Sequence, residues 1–502
     1  MPSGNIESIR RIIRKLSAQE VETIRLYIGS FNRKFGDYTP KTLVLFDAIS
    51  DNTEKKSLEE IKSLVITEEE NDNTFIKLIS RLREKIYEGL TLDVNLKRPN
   101  TYSKAILSLY QLRKNNITAQ ILYTRGLVKE AVDLIAKSER IAVKYHYYNE
   151  LFSLLSLKLI AMNFTFGAKK ARQVEKDIMY YRQLRAVYEK SELYFNSLAF
   201  RDRKQANTQS FLKELLAKID DLASDPYLHK VDVARYYLGQ LMVLDKRLHG
   251  KYEEMEKISH ELVNLVKSNP YLQNRPRLAN SYKNLADASL FTGKYDIARE
   301  YASSTQQLLL PYSQNYFELE LFFFYTYFYD KNYQQALKQL QNILRLARQH
   351  PLSDKFYIDK LHYMHAYTLL MLEKYSEANR ILLQSNELMQ DKEGWNISVR
   401  ILQVMIRIGQ LNYNKADSLI ESLYHYVSNP ERKKLIKRRD YLLCKLLYKL
   451  MQKDYNFKEI SSSSEISALE KDPELQWRHM SPELIPVNMW LKNNLLKSEL
   501  PV

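Results

Sequence analysis

The sequence predicts an all-α protein built largely from repeated helical hairpins. The chain of 502 residues contains only 11 glycines and 13 prolines, which disfavours long flexible linkers and folds rich in β-turns. Leu, Lys, Glu, Gln and Arg, which all favour helices, are abundant. A tyrosine motif also recurs at spacings of 38 to 43 residues between positions 252 and 413. A period of this length is typical of stacked helical repeats.

Residues 1–98 lack this motif, and we predict a separate N-terminal helical domain there. Apolar residues at helical spacing predict three helices, over residues 9–16, 41–49 and 71–88. In the pairs Ser17–Glu20 and Ser57–Glu60, a serine stands three residues before a glutamate. This pattern is typical of the capping box that begins a helix.

The order of predicted elements from Leu58 to Leu96 also resembles a winged helix. A short helix and a turn precede a helix with several basic side chains, and alternating apolar residues follow. The strand of the wing would contain Leu90, Leu92, Val94 and Leu96. The same features are equally expected of a helical cap that shields the apolar face of the first repeat. Both interpretations stay open on the sequence alone.

The repeated motif is a tyrosine with a turn directly before it and a small residue three positions after it. Glycine or asparagine before the tyrosine suits the left-handed residue that closes the preceding helix. A proline 15 to 18 residues after most of these tyrosines predicts the end of a helix. The pairs are Tyr295 with Ala298, Tyr333 with Ala336, Tyr375 with Ala378 and Tyr413 with Ala416, and an earlier copy pairs Val128 with Ala131. Tyr252 has the same turn before it but departs from the pattern, because Met255 replaces the small residue.

These residues resemble the tetratricopeptide repeat. The clearest copy spans residues 281–311, where Ala286 fits the small position at which the two helices cross and Pro311 the end of the second helix. The period is longer than the 34 residues of that family. Residues 168–225 are poorly phased, because Ala168 can begin a second helix but no first helix is evident after it.

The resemblance implies that residues 99–455 form a right-handed superhelical α-solenoid. The concave surface of such a solenoid typically receives an extended peptide or a partner helix. More broadly, the chain resembles a family of uncharacterised bacterial proteins in which a helical head precedes tetratricopeptide repeats, and that family implies no activity. With a winged helix at its start, the chain would instead resemble some bacterial transcriptional regulators.

Lys and Arg exceed Asp and Glu, which gives a net charge of +16 at pH 7 and favours an acidic protein or nucleic acid as partner. Two basic clusters are candidate partner-binding sites. They contain Arg10, Arg11, Arg14 and Lys15 near the start, and Arg432, Lys433, Lys434, Lys437, Arg438 and Arg439 after Pro430. A solvated first turn of a helix, together with general solubility, is the favoured explanation of the second cluster. Basic residues there oppose the helix dipole, however, which favours a functional use.

No sequence motif predicts catalysis, and we expect neither catalytic residues nor a cofactor. The P-loop, dinucleotide-binding and nucleophile-elbow patterns do not occur. His362 and His365 share a helix face, as two metal ligands would. Counted back from Tyr375, however, they occupy the bulky packing positions of a first helix, so we predict no metal site. The single cysteine, Cys444, lies in an apolar stretch and is expected to be buried.

Residues 456–502 differ in composition and form a predicted tail. Ser461–Ser464 predicts a loop, and Trp477 and Trp490 favour a tail that packs on the last repeat. A docking peptide for a partner is the alternative.

With no apolar run long enough to span a membrane, we expect a cytoplasmic scaffold or adaptor that binds a protein or peptide in its groove. The alternative function is a nucleic-acid-binding regulator that senses through its repeats.

Overall fold

The computed structural model describes residues 2–14, 16–30, 39–50, 57–67, 72–92, 104–165, 167–199, 209–350, 355–384, 388, 395–430 and 436–498. All regular structure in these ranges is helical, as the composition predicts. None of the described helices is both long and apolar enough to cross a membrane. The chain divides into two compact units, Met1–Arg182 and Gln183–Val502.

The first unit begins with five helices that pack around one apolar core. They are α1 (Pro2–Ile13), α2 (Ala18–Ser30), α3 (Lys41–Ser50), α4 (Leu58–Ser63) and α5 (Asp72–Leu92). Both predicted capping boxes are present. The Glu20 amide donates to Ser17 Oγ at 3.3 Å, and Glu20 Oε2 accepts from the Ser17 amide at 2.7 Å. The same reciprocal pair joins Ser57 and Glu60.

The prediction that Leu90 and Leu92 belong to the strand of a winged helix is wrong. Leu90 and Leu92 belong to the last turn of α5. The apolar face of α5 continues to Leu90, which packs on the core formed by α1 to α5 and therefore extends the helix. Val94 and Leu96 lie outside the described residues.

Two helical hairpins follow in the first unit. Their helices are α6 (Lys104–Thr124), α7 (Val128–Lys144), α8 (Tyr148–Thr165) and α9 (Ala168–Ala199), of which the last crosses the boundary between the units. Successive helices α6 to α8 pack on each other. The predicted second-helix starts at Val128 and Ala168 are confirmed. Helix α9 is 32 residues long. It therefore continues through the poorly phased region, where the motif predicts a turn.

The second unit contains the regular part of the repeat. Its helices are α10 (Gln209–Ala223), α11 (Asp232–Leu248), α12 (Tyr252–Ser268), α13 (Arg275–Phe291), α14 (Tyr295–Gln306), α15 (Gln314–Tyr329), α16 (Tyr333–Gln349), α17 (Lys355–Met371), α18 (Tyr375–Leu382), α19 (Trp395–Gly409), α20 (Tyr413–Ser428), α21 (Arg438–Gln452), α22 (Phe457–Ser461), α23 (Ser464–Lys471) and α24 (Val487–Ser498). From α11 to α21, each helix packs on the next one in sequence.

The register that the tyrosines predict is confirmed. The second helix of each hairpin (α12, α14, α16, α18 and α20) begins at the motif tyrosine. The residue three positions later is fully buried in every one of these helices. A small side chain there lets the two helices of a hairpin approach closely. Helices α12 and α20 end two residues before Pro270 and Pro430, as predicted.

The left-handed turn residue differs in part from the prediction. Gly250 and Gly293 have φ of +69° and +76°, as expected. Asn332 does not take this conformation, and the residue before it does: Lys331 has φ of +60°. The asparagine instead caps the next helix, because Asn332 Oδ1 accepts from the Gln335 amide at 3.2 Å. The same shift places Leu411 at φ of +56°, directly before the capping residue Asn412.

The serine run Ser461–Ser464 is not one continuous loop. Ser461 ends α22 and Ser464 begins α23, so only two residues lie between the helices. Ser463 caps α23 by accepting a hydrogen bond from the Ile466 amide. Serine favours helix caps as well as loops, which explains the difference.

Candidate functional site

Five aromatic side chains of the second unit form a row on the first helices of three successive hairpins. Residues four, eight and twelve positions before a motif tyrosine share one helix face. In α13, α15 and α17 these positions are occupied by Phe291, Tyr325, Tyr329, Tyr363 and Tyr367. We call these five residues the aromatic row. The ring centroids of Tyr325 and Tyr329 are 5.8 Å apart, as are those of Tyr363 and Tyr367.

The chain's own C-terminal segment, residues 472–486 between α23 and α24, lies against the aromatic row. The Trp477 and His479 rings contact Tyr329 at centroid distances of 5.7 and 4.9 Å. His479 also contacts Phe291 at 5.7 Å and Trp477 at 4.5 Å. Three aromatic rings thus surround this imidazole. Burial among them lowers the pKa of His479 to about 4.

Two tyrosine hydroxyls of the row hydrogen-bond to the main chain of the segment. Tyr329 Oη accepts from the Met480 amide at 2.7 Å, and Tyr363 Oη donates to the Pro482 carbonyl at 2.7 Å. Tyr367 Oη instead lies 4.0 Å from Met405 Sδ. Burial raises the pKa of Tyr363 and Tyr367, so both phenols stay protonated. Tyr329 and Tyr363 therefore contact groups that every peptide carries.

Arg439, in the first turn of α21, supplies the main charged contact with the segment. Its Nε and Nη2 donate to the two carboxylate oxygens of Glu483 at 2.6 and 2.8 Å. The Arg439 and Glu483 side chains are only 12% and 11% exposed. Arg439 also donates to the Leu475 carbonyl and to Asn488 Oδ1. A forked, largely dry pair of this kind selects a carboxylate in a defined orientation.

The segment is closed on itself as a compact loop. Trp477 Nε1 donates to the Glu483 carbonyl at 2.6 Å, and Ser481 Oγ donates to the same oxygen at 3.0 Å. Met480, at the tip, takes a left-handed conformation with φ of +59°. Leu484 is fully buried on the side facing the helices. The loop thus presents its aromatic tip, its carboxylate and its apolar side chain to the repeats.

The prediction that the tail packs on the last repeat describes only part of this arrangement. Helix α24 does pack on α22, close to the end of the repeats. The segment also reaches Phe291 of α13, four hairpins earlier in the chain than α21. The prediction missed this reach because the hydrogen bonds to Tyr363 and Tyr329 join residues 119 and 151 positions apart.

The C-terminal basic cluster is partly engaged by the segment. Besides the Arg439 pair, Arg438 Nη1 lies 3.0 Å from Asp472 Oδ2, and Lys437 is exposed. Arg432, Lys433 and Lys434 lie outside the described residues. Two of the three described basic residues of this cluster, Arg438 and Arg439, therefore face carboxylates of the chain itself.

The N-terminal basic cluster belongs to the other unit. Arg10 and Arg14 each lie 3.8 Å from a carboxylate oxygen of Glu7, and Arg11 is exposed. Lys15 lies outside the described residues. The Arg14 side chain is 48% exposed and that of Arg10 is 21% exposed, and ion pairs at this distance on the surface contribute little.

A cavity of about 290 Å³ remains between the segment and the start of α21. Its lining includes Lys437, Asp440, Glu474 and Arg478. Burial raises the pKa of Asp440 to about 6, and the nearby Glu483 carboxylate adds to the rise. The described lining residues include no histidine or cysteine.

His362 and His365 lie at the packing positions that the register predicts. Both side chains are half-buried in α17, and burial lowers the pKa of each imidazole. Among the described residues, no group of three or more metal-ligating side chains includes them. Cys444 is buried, as predicted, and burial raises the pKa of its thiol.

The sequence carried one signal for the aromatic row that our prediction did not use. Tyrosines at four, eight and twelve positions before the motif tyrosine can be read directly from the repeat register.

The chain matches no protein-family model, and no curated protein matches it.

Proposed function

We propose that the protein is a non-enzymatic, tetratricopeptide-like scaffold or adaptor of the cytoplasm that binds an extended segment of a partner protein. The aromatic row and Arg439 form the binding surface, in the concave groove of a superhelix. The observation that carries this proposal is the C-terminal segment itself. Its residues 476–486, which follow a single 3-10 turn at Pro473–Leu475, bind to this surface through main-chain hydrogen bonds and a forked ion pair.

Several features of the surface support binding over catalysis. Tyrosine offers a large contact area with little loss of side-chain entropy, and its hydroxyl reaches main-chain groups. Arginine holds a carboxylate through two parallel hydrogen bonds. Recognition of this kind needs no reactive group. The net charge of +16 further favours partners with an acidic segment.

The test is capture of a partner by cross-linking in cells, compared between variants of the full chain. We expect Arg439→Ala and Tyr363→Phe to reduce capture of the protein that the wild type captures, because each removes a hydrogen bond of the surface. Arg345→Ala is the matched control, because Arg345 is an exposed arginine of the second helix α16. Capture that survives both surface substitutions would show that the partner binds elsewhere.

The alternative function, nucleic-acid binding through the N-terminal domain, has a separate test. Duplex DNA is titrated with the full chain at low and high salt, and with a variant that carries Lys77→Ala and Arg81→Ala on the exposed side of α5. This alternative predicts binding that weakens steeply with salt and falls in the variant. Absence of binding at low salt excludes it.

A further inference from the structure

The C-terminal segment has the chemistry of a ligand for the surface that it covers. It carries Asp472, Glu474 and Glu483 against one basic residue, Arg478, in a chain whose net charge is +16. Its carboxylates pair with Arg438 and Arg439, and its aromatic tip contacts Tyr329 and Phe291. Charge, shape and main-chain hydrogen bonding thus all match between the segment and the surface.

We propose that residues 472–486 are a built-in competitor, and that the partner is an acidic extended peptide that displaces them. The partner would carry an aromatic residue and, about six positions later, a carboxylate, as Trp477 and Glu483 do. This inference rests on the proposed binding function. It adds the class of partner and the way in which access is controlled.

The tether makes the segment an effective competitor. A covalently attached ligand acts at an effective concentration in the millimolar range when its linker is short. Here α22 and α23 already hold the start of the segment close to Arg438. An untethered peptide of equal intrinsic affinity therefore binds the wild-type chain only weakly. A partner succeeds by making further contacts or after the loop has been weakened.

Each contact has a separate role in recognition. The hydroxyls of Tyr329 and Tyr363 hold the main chain of the segment and so accept many sequences. The Arg439 fork requires a carboxylate. The rings of Phe291 and Tyr329 require a flat side chain, which in the segment is His479 with Trp477 beside it. Specificity for partners is therefore set at two points of an otherwise permissive surface.

The experiment uses two full-length variants that break the same ion pair from opposite sides. Glu483→Lys weakens the competitor and leaves the surface intact, whereas Arg439→Glu weakens the competitor and also damages the surface. The probe is a fluorescent synthetic peptide with the sequence of residues 472–486. Fluorescence anisotropy measures its dissociation constant, and circular dichroism checks that each variant keeps its helix content.

We expect Glu483→Lys to bind the peptide at least tenfold more tightly than the wild type, and Arg439→Glu to show no such gain. Glu470→Lys is the matched control, because Glu470 pairs with Lys492 outside the segment. It should bind the peptide as the wild type does. If the wild type and Glu483→Lys bound the peptide with equal affinity, the proposal that residues 472–486 act as a competitor would be wrong. If the affinity for the peptide rose equally in Glu483→Lys and Arg439→Glu, Arg439 would not be the residue that binds the carboxylate of the partner.

Hydrogen exchange of the segment amides gives a second readout that does not depend on the peptide. Exchange over residues 472–486 should be faster in each single variant and return to the wild-type rate in Arg439→Glu/Glu483→Lys, where the pair is restored with its charges exchanged. Failure of this rescue would also overturn the proposal. If Glu483→Lys gains no affinity while capture in cells still requires Arg439, the competitor is disproved and the binding function stands.

Discussion

The left-handed turn residues show how single side chains depart from the repeat pattern. Leu411 has φ of +56° and is 72% exposed, and Lys331 takes the same conformation. A residue with a Cβ pays about 1–2 kcal/mol in this region. These turns are retained because the asparagine after each one caps the next helix.

The first prediction concerns this strain. Leu411→Gly should raise the stability of the second unit by up to about 1 kcal/mol, because glycine adopts the left-handed conformation without strain. Gly293→Ala, at φ of +76° with open space around it, should lower stability by about 1 kcal/mol. Urea unfolding followed by tryptophan fluorescence measures both, since Trp395, Trp477 and Trp490 all lie in the second unit. Shifts of the same sign in the two variants would contradict the argument.

The second prediction concerns pH, where two residues oppose each other. Burial lowers the pKa of His479 to about 4, below the value of about 6.5 for a free histidine. The uncharged His479 ring therefore stabilises docking of the segment above pH 6.5, and this stabilisation is lost as pH falls towards 4. The pKa of Asp440 is raised to about 6 from about 3.9, so the penalty for its buried charge appears as pH rises from 4 to 6. The two effects have opposite signs over nearly the same range.

We therefore expect docking of the wild-type segment to vary little between pH 4 and 6.5. In Asp440→Asn, docking should weaken as pH falls through this range, and in His479→Phe it should strengthen. Hydrogen exchange of residues 472–486, corrected for the intrinsic pH dependence of exchange, measures docking. The interpretation fails if both variants follow the wild-type profile.

At the scale of elements, the repeat was predictable because its signals are local. A turn and a tyrosine, followed in all but α12 by a small residue three positions on, are sufficient to place the starts of α12, α14, α16, α18 and α20. Helix α9 was not predictable in the same way. Its 32 residues contain no glycine or proline, so nothing ends the helix where a turn is expected. The mistaken strand at Leu90 arose because alternation over a few residues also fits the end of an amphipathic helix.

The third prediction tests how closely neighbouring helices approach. A Cβ at Gly409, the last residue of α19, would lie 2.4 Å from Tyr375 Cε1 in α18. We expect Gly409→Ala to cost about 1–3 kcal/mol, because a ring packed between helices cannot move aside without a backbone shift. Gly239→Ala is the control. Its Cβ would lie 2.6 Å from Leu262 Cδ2, at the free end of an aliphatic side chain, and 3.2 Å from Leu262 Cγ, so the cost should be smaller than beside a rigid ring. Tryptophan-monitored urea unfolding measures both, and equal costs would contradict this account.

At the scale of the whole molecule, the binding surface could be predicted only in outline. The basic cluster that includes Arg439 was recognised as a candidate, as were the tryptophans of the tail and the clustered tyrosines. Their convergence was not predicted, because Arg439 and Glu483 are 44 residues apart and Tyr329 and Met480 are 151 apart. Local sequence patterns do not encode contacts over such distances. Only the register shared by α13, α15 and α17 brings these side chains onto one face.

The fourth prediction separates the charge of the whole chain from the buried ion pair. With Glu483→Lys as the receptor and the peptide of residues 472–486 as the probe, added salt should slow association, because a net positive chain attracts an acidic peptide at long range. Arg439→Ala in the same background should instead speed dissociation, because this side chain is shielded from solvent in the docked state. Stopped-flow fluorescence measures both rates. Salt effects confined to dissociation would contradict the prediction.

The position of the segment after the helices it contacts has a consequence for synthesis on the ribosome. Helices α13, α15 and α17 emerge before residues 472–486 have been translated. During that interval the aromatic row has no occupant, and it presents contiguous aromatic surface of the kind that attracts chaperones or other chains. A nascent chain can therefore meet its partner before its own competitor exists. A product that stops short of residue 472 would expose this surface permanently and should aggregate or be degraded.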